Sequence, residues 1–109
     1  MANTFKNATI TLVPTSSTTI YTCPAATQAI VFDMTLANVD AVNTVAGSVF
    51  VTDSSAVTTT QIGNNLTVPV NMTLKVDGKY VLEAGDSINV QASASNRLSA
   101  FISIVEITA

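Results

Sequence analysis

The sequence predicts an all-β protein: a single antiparallel β-sandwich of about eight short strands, of jelly-roll or Ig-like Greek-key type. Three observations lead there. Apolar and polar residues alternate with period two along most of the chain, and helical periodicity is nowhere sustained. Turn-forming clusters recur roughly every 8–14 residues. The hydrophobic 48% of the 109 residues is dominated by Val, Ile, Leu and Ala. Val, Ile and the abundant Thr are stiff at χ1 and suit pleated strands better than helices. No linker, long repeat or low-complexity tail interrupts the pattern, so residues 1–109 read as one domain with 1–6 as a candidate N-terminal arm.

The elements follow in order. Ala8, Ile10 and Leu12 share one face of the first strand, which Val13-Pro14-Thr15-Ser16-Ser17 breaks because Pro removes a ladder donor. Thr18 to Thr22 is a short strand ended by Cys23-Pro24. Gln28 to Asn38 follows, with Ile30, Phe32, Met34 and Leu36 expected on its core face. The segment Asn38 to Asn43 reads as a loop, since Asn and Asp bond their own backbone. Gly47 to Thr52 is the next strand, closed by Asp53-Ser54-Ser55, and Val57 to Ile62 pairs back across that turn. Gly63-Asn64-Asn65 is expected to end it.

Leu66, Val68, Val70, Met72, Leu74 and Val76 then share one parity, but Pro69 demands a bend or an edge among them. Asp77-Gly78, between Leu74-Lys75-Val76 and Lys79-Tyr80-Val81-Leu82, is the strongest hairpin signal in the chain. Glu83-Ala84-Gly85-Asp86 is a further turn. Ile88, Val90 and Ala92 alternate with polar residues, and Ala94-Ser95-Asn96 leads into the last strand, Arg97 to Ile107. Leu98, Ala100, Ile102 and Ile104 occupy one face of that strand, with Phe101, Val105 and Ile107 opposite. Two apolar faces predict a strand covered on both sides.

The polar surface is almost uncharged. There are seventeen Thr, ten Ser and nine Asn against four Lys or Arg, seven Asp or Glu and no His. Charged residues make up 10%, well below the usual quarter of a soluble domain. Such a surface is suited to being covered by other protein. The net charge of −3 and the dispersal of Lys6, Lys75, Lys79 and Arg97 argue against nucleic acid and against an anionic membrane. No apolar run nears the roughly 20 residues of a membrane-spanning helix, and Met1 to Lys6 lacks a signal-peptide pattern. The protein is therefore expected to be made and used without signal-peptide secretion.

Catalytic chemistry finds little to stand on. Without His there is no Ser–His or Cys–His pair, and zinc lacks a ligand set. Cys23 stands alone beside Pro24 with no neighbouring cation in sequence, so an inert thiol is expected. Asp40, Asp53, Asp77 and Asp86 fall in turns, where Asp serves the backbone; a calcium site from Asp53 and Asp86 is conceivable, yet no EF-hand spacing supports it. No catalytic, cofactor-binding or metal residue is assigned. Among the aromatics, Phe32 and Phe50 fit core positions. Phe5 lies in a polar terminal segment, either as an exposed anchor on a neighbouring subunit or packed on its own domain.

Several segments carry a resemblance: Met1 to Ala8, Thr19 to Ala26, Leu36 to Asp40, Val51 to Ser55, and Gly78 to Ile88 with its Leu82-Glu83-Ala84-Gly85-Asp86-Ser87-Ile88 turn. Together they resemble the short virion structural proteins of tailed bacteriophages, especially those of cyanobacteria and marine bacteria. The resemblance implies a non-enzymatic capsid decoration (cement) protein, a homo-oligomer such as a trimer, bound to the major capsid protein. A neck or tail component, binding neck or tail proteins, is the alternative. A carbohydrate- or surface-binding sandwich module is a third reading, which the absence of Trp and the scarcity of Tyr disfavour. The implied location is the virion, after synthesis in the host cytoplasm.

Overall fold

The computed structural model describes residues 2–76 and 78–108. Nine strands form among the described residues: β1 (Ala2–Ile10), β2 (Thr18–Thr22), β3 (Thr27–Asn38), β4 (Val45–Asp53), β5 (Thr58–Val68), β6 (Thr73–Lys75), β7 (Tyr80–Leu82), β8 (Ser87–Ala92) and β9 (Leu98–Thr108). They make two antiparallel sheets. The first has the order β1-β9-β3-β6, with β7 also on β3; the second has the order β2-β8-β4-β5. Counting β6 and β7 as halves of one strand gives four strands per sheet, and the chain crosses between sheets at nearly every connection. This is a jelly roll, which resolves the two Greek-key options of the sequence.

The core lies between the sheets. It is built by Ala29, Val31, Met34 and Leu36 of β3, Leu98, Ala100, Ile102 and Ile104 of β9, Ile88 and Val90 of β8, and Val49 of β4, all at most 3% exposed. Burying one such aliphatic side chain contributes about 1.5–3 kcal/mol. Gly47 is the point of closest approach. A Cβ there would lie 2.9 Å from Leu36 Cδ1 and 3.0 Å from Leu98 Cδ2, both from the facing sheet. Only a residue without a side chain lets those two leucines seat.

Several expectations are corrected. In β3 the register shifts between Val31 and Asp33. This bulge flips the parity, so Ala29 and Val31 face the core before it and Met34 and Leu36 after it. Ile30 and Phe32 therefore leave the core face. A bulge adds one residue to one strand and re-aims its side chain, and composition does not announce it. Phe50, too, is on an outer face, because its neighbours Val49 and Val51 take the inward positions. Leu12 lies beyond the end of β1 and is 44% exposed, whereas Val13 beside it is fully buried.

The Asp77-Gly78 hairpin does not form as expected. Asp77 lies outside the described residues, but the segments flanking it both pair with β3. Leu74 lies opposite Leu36 and Val81 opposite Ile30, so the chain continues along one neighbour instead of turning back. Gly78, at φ +126°, supplies the interruption. Likewise Gly63-Asn64-Asn65 does not end β5 but forms an irregularity within it, where the Asn65 N–H is satisfied by Ser48 Oγ at 3.0 Å. Pro69 does mark a corner: β5 stops at Val68 in the second sheet and β6 begins at Thr73 in the first.

Residues 2–6 of the candidate arm are the first half of β1, paired with β9 from Ala2–Thr108 to Lys6–Ile104. The described residues leave the outer face of β9 partly open: Phe101 remains 41% exposed. No helix among the described residues is long and apolar enough to cross a membrane.

Candidate functional site

At one end of the sandwich three turns meet. Asp53 closes β4, and Glu83 and Asp86 belong to the β7–β8 turn; their carboxylates lie within 4.8 Å of one another. The proximity of Asp53 and Asp86 matches the conceivable cation site of the sequence, with Glu83 as an addition. The hydrogen bonds give both Asp residues another task. Asp86 Oδ1 accepts the Ser54 N–H at 3.0 Å and Oδ2 accepts the Glu83 N–H at 2.9 Å. Asp53 Oδ1 accepts the Ser55 hydroxyl at 2.8 Å and the Ser55 and Ala56 N–H groups. The Ser55 hydroxyl is the main reason the Asp53 carboxyl titrates below its usual range. A cation would have to compete with these donors.

Gly85, at φ +90°, lets this turn close, and its N–H bonds Cys23 O at 2.9 Å while Cys23 N–H bonds Asp86 O at 2.8 Å. The turn thus ties the β2–β3 and β4–β5 connections together. Cys23 is buried, and burial pushes its thiol up. Beside the cluster is an open concavity of about 600 Å³ lined by Thr27, Gln28, Ser55, Glu83, Ile107 and Thr108, among others. Among its described lining residues Glu83 is the one ionisable side chain, and the Ser55 hydroxyl lines it as well.

A buried carboxylate lies between the sheets. Glu106, 6% exposed, accepts the Tyr21 hydroxyl at 2.5 Å and pairs with Lys6 Nζ at 3.0 Å. The Tyr21 bond is the leading cause holding the Glu106 carboxyl below its usual range, and desolvation is the leading cause raising the Tyr21 phenol. Sequence reasoning passed over Glu106. The signal was present: it continues the inward series Leu98, Ala100, Ile102, Ile104 as its one charged member.

The outer faces are the largest remaining surfaces. On the second sheet, Ser48, Phe50, Gln61, Asn64 and Gln91 line a shallow neutral depression of about 210 Å³. On the first sheet, four apolar residues stand side by side across four strands: Phe5 (β1), Val105 (β9), Ile30 (β3) and Val81 (β7). Phe32 leans from the bulge over β9 to Phe5, with ring centroids 6.2 Å apart and planes at 75°, an edge-to-face contact. Phe5 is 75% exposed, so the anchor option for it stands and the core option does not. What these surfaces can do is bind, by area and shape.

The fold and its surfaces define an all-β jelly-roll protein. No protein-family model matches the chain, and no curated protein matches it in sequence. Among solved structures it is similar to a chain of Bacillus endospore appendages, described as disulfide-linked pili, at TM-score 0.56 and 13% identity, covering 97% of this chain and 88% of that one. It is similar also to a chain of the acid-stable capsid of Helicobacter pylori bacteriophage KHP30, at TM-score 0.54 and 13% identity, covering 96% and 90%. A pentameric capsid protein from metagenomic phage sequences aligns at TM-score 0.44 and 21% identity, covering 88% of this chain and 59% of that one.

Proposed function

We propose that this chain is a non-enzymatic structural protein of a phage particle, a capsid decoration (cement) protein that binds across the major capsid protein and self-associates. The observation that carries this reading is the surface. A jelly roll with 10% charged residues presents neutral hydroxyls and amides and leaves an apolar row uncovered. Hydroxyls can bond a neighbour's backbone without the desolvation cost of charges, and burying about 800 Å² per partner suffices for specific association. Many copies on a symmetric shell add avidity. The fold likeness to a chain of a phage capsid supports the same reading.

The test is direct. Purified protein added to shells that lack it should bind in proportion to capsomers and raise their melting temperature. No binding, or binding without stabilisation, overturns the decoration role. Counting copies in purified particles separates it from a neck or tail role, which needs a single ring's worth.

A further inference from the structure

The strand β1 changes character at Asn7. Ala2 to Asn7 are all exposed, whereas Ala8 and Ile10 are half-buried and pack against the core. β1 is also an edge strand, with β9 as its ladder partner. Its first half therefore buries little apolar surface and is held by the ladder and a few side-chain ties. These are the Lys6–Glu106 ion pair at 3.0 Å, the Phe5–Phe32 edge contact, and a bond from the Thr108 hydroxyl to Ala2 O at 3.5 Å. We propose that residues 2–6 are a strap that opens from β9 as a unit, hinged at Asn7–Ala8 and latched by Lys6 on Glu106, while the rest of the sandwich stays folded.

Two features suit this segment to opening. The latch is lopsided: the Lys6 side chain is 51% exposed and that of Glu106 only 7%. An ion pair with one end in water holds weakly and is screened by salt. Nor does Glu106 depend on the latch alone. Tyr21 reaches it from β2 of the other sheet, so the carboxylate keeps a donor when Lys6 leaves, and no buried charge is stranded. Its ladder neighbours, Thr4 on β1 and Ala29 on β3, carry no charge. Segments held by few apolar contacts open locally, as contiguous units, well below the cost of global unfolding. Opening makes β9 the edge of the first sheet and uncovers the side of Glu106 that faces Thr4 and Lys6. Backbone N–H and C=O groups between Ile104 and Thr108 are then free to take up another strand. The strap thus controls whether that edge is available.

Amide hydrogen exchange of the full chain, read residue by residue, tests the strap. Among the β1 amides that bond β9, those in residues 2–6 should share one rate, at least about tenfold faster than those in residues 8–10, although the ladder is continuous. β9 supplies a second signature, because a middle strand directs successive N–H groups alternately to its two neighbours. Between Ile104 and Thr108, the amides aimed at β1 should exchange with the strap, and those aimed at β3 should stay protected. Lys6→Met should speed strap exchange about two- to fivefold and leave residues 8–10 unchanged, and Lys6→Arg should keep the wild-type rate. A smooth gradient along β1 with no step at Asn7 is ordinary fraying and overturns the inference. Equal protection of both halves does the same, as does a step that Lys6→Met leaves in place at the same rate. Should Lys6→Met not fold, the step in the wild type and the alternation in β9 decide. The inference concerns the isolated chain and does not rest on the particle role, so shell binding neither supports nor sinks it.

Discussion

The Tyr21 hydroxyl donates to the Glu106 carboxylate at 2.5 Å, joining β2 of the second sheet to β9 of the first. It is a polar fastening between the layers, as is the bond from the Asn38 side chain of β3 to Val68 O of β5. Glu106 is buried, so its charge depends on Tyr21 and on the more exposed Lys6. Tyr21→Phe should cost about 1.5–3 kcal/mol, the range for a hydrogen bond to a charged group. Lys6→Met should cost less, about 1 kcal/mol or under, because its end of the pair is half in water. Urea denaturation of both variants checks the order, and equal costs would contradict the geometry.

Stability should fall on both sides of neutrality. The carboxyls of Glu106, Asp40 and Asp53 all titrate lower in the folded chain than is usual. For Asp40 the leading cause is the Val42 N–H. Depressed acids stabilise above their unfolded pKa, about 3.9–4.3, and that contribution is lost as pH falls through the folded values. Tyr21 and Cys23 are raised, chiefly by burial. Their contribution is complete below the unfolded values, about 8.5 for Cys and 10 for Tyr, and is lost as pH rises toward the folded ones. Melting temperature against pH should therefore show a plateau between about pH 5 and 8. In Tyr21→Phe, which removes the leading cause of the Glu106 depression, the acid limb should be shallower.

Gly85→Ala should destabilise by about 1–2 kcal/mol, the penalty for a side chain in a left-handed conformation. Its Cβ would also meet Ser54 Oγ at 2.7 Å. Thermal melting of the variant is the measurement, and an unchanged midpoint would remove Gly85 from the turn's requirements.

Asn38 is buried, and its side-chain N–H groups bond Asn43 O at 2.9 Å and Val68 O at 3.0 Å, while its Oδ1 accepts the Asp40 N–H at 2.8 Å. One side chain thus organises the β3–β4 loop and the end of β5. Asn38→Ala should cost about 2–3 kcal/mol, because buried carbonyls lose their donors. Chemical denaturation gives the value directly.

The bulge in β3 makes a parity prediction. Leu36→Ala, inward, should cost about 2–5 kcal/mol. Phe32→Ala, on the outer face, should cost about 1 kcal/mol or less in the isolated subunit. Equal losses would return Phe32 to the core.

Those expectations show where the sequence was legible. The inward series of β8 and β9 could be read directly, because period two is uninterrupted from Ile88 to Ala92 and from Leu98 to Ile104. Pro69 gave the corner for the same local reason: it has no N–H to offer a ladder. The parity of β3 was not legible, since a bulge is decided by what β9 offers opposite Phe32. Asp77-Gly78 misled because turn chemistry is local, whereas the strand following it is claimed by β3. The apolar outer face depends on that bulge, so it was visible only as an unexplained second apolar face on β9. Glu106 was legible in principle as a charge at a core position.

The strand β9 lies between β1 and β3, and it is the last of the nine in chain order. During synthesis, then, the first sheet has no middle until Leu98 to Thr108 has left the ribosome. A chain stopped before that point holds β1 with no partner, lacks Glu106 for Tyr21 to bind, and cannot align Phe5 with Phe32. The outer face of the first sheet is thus complete only once β9 stands between β1 and β3.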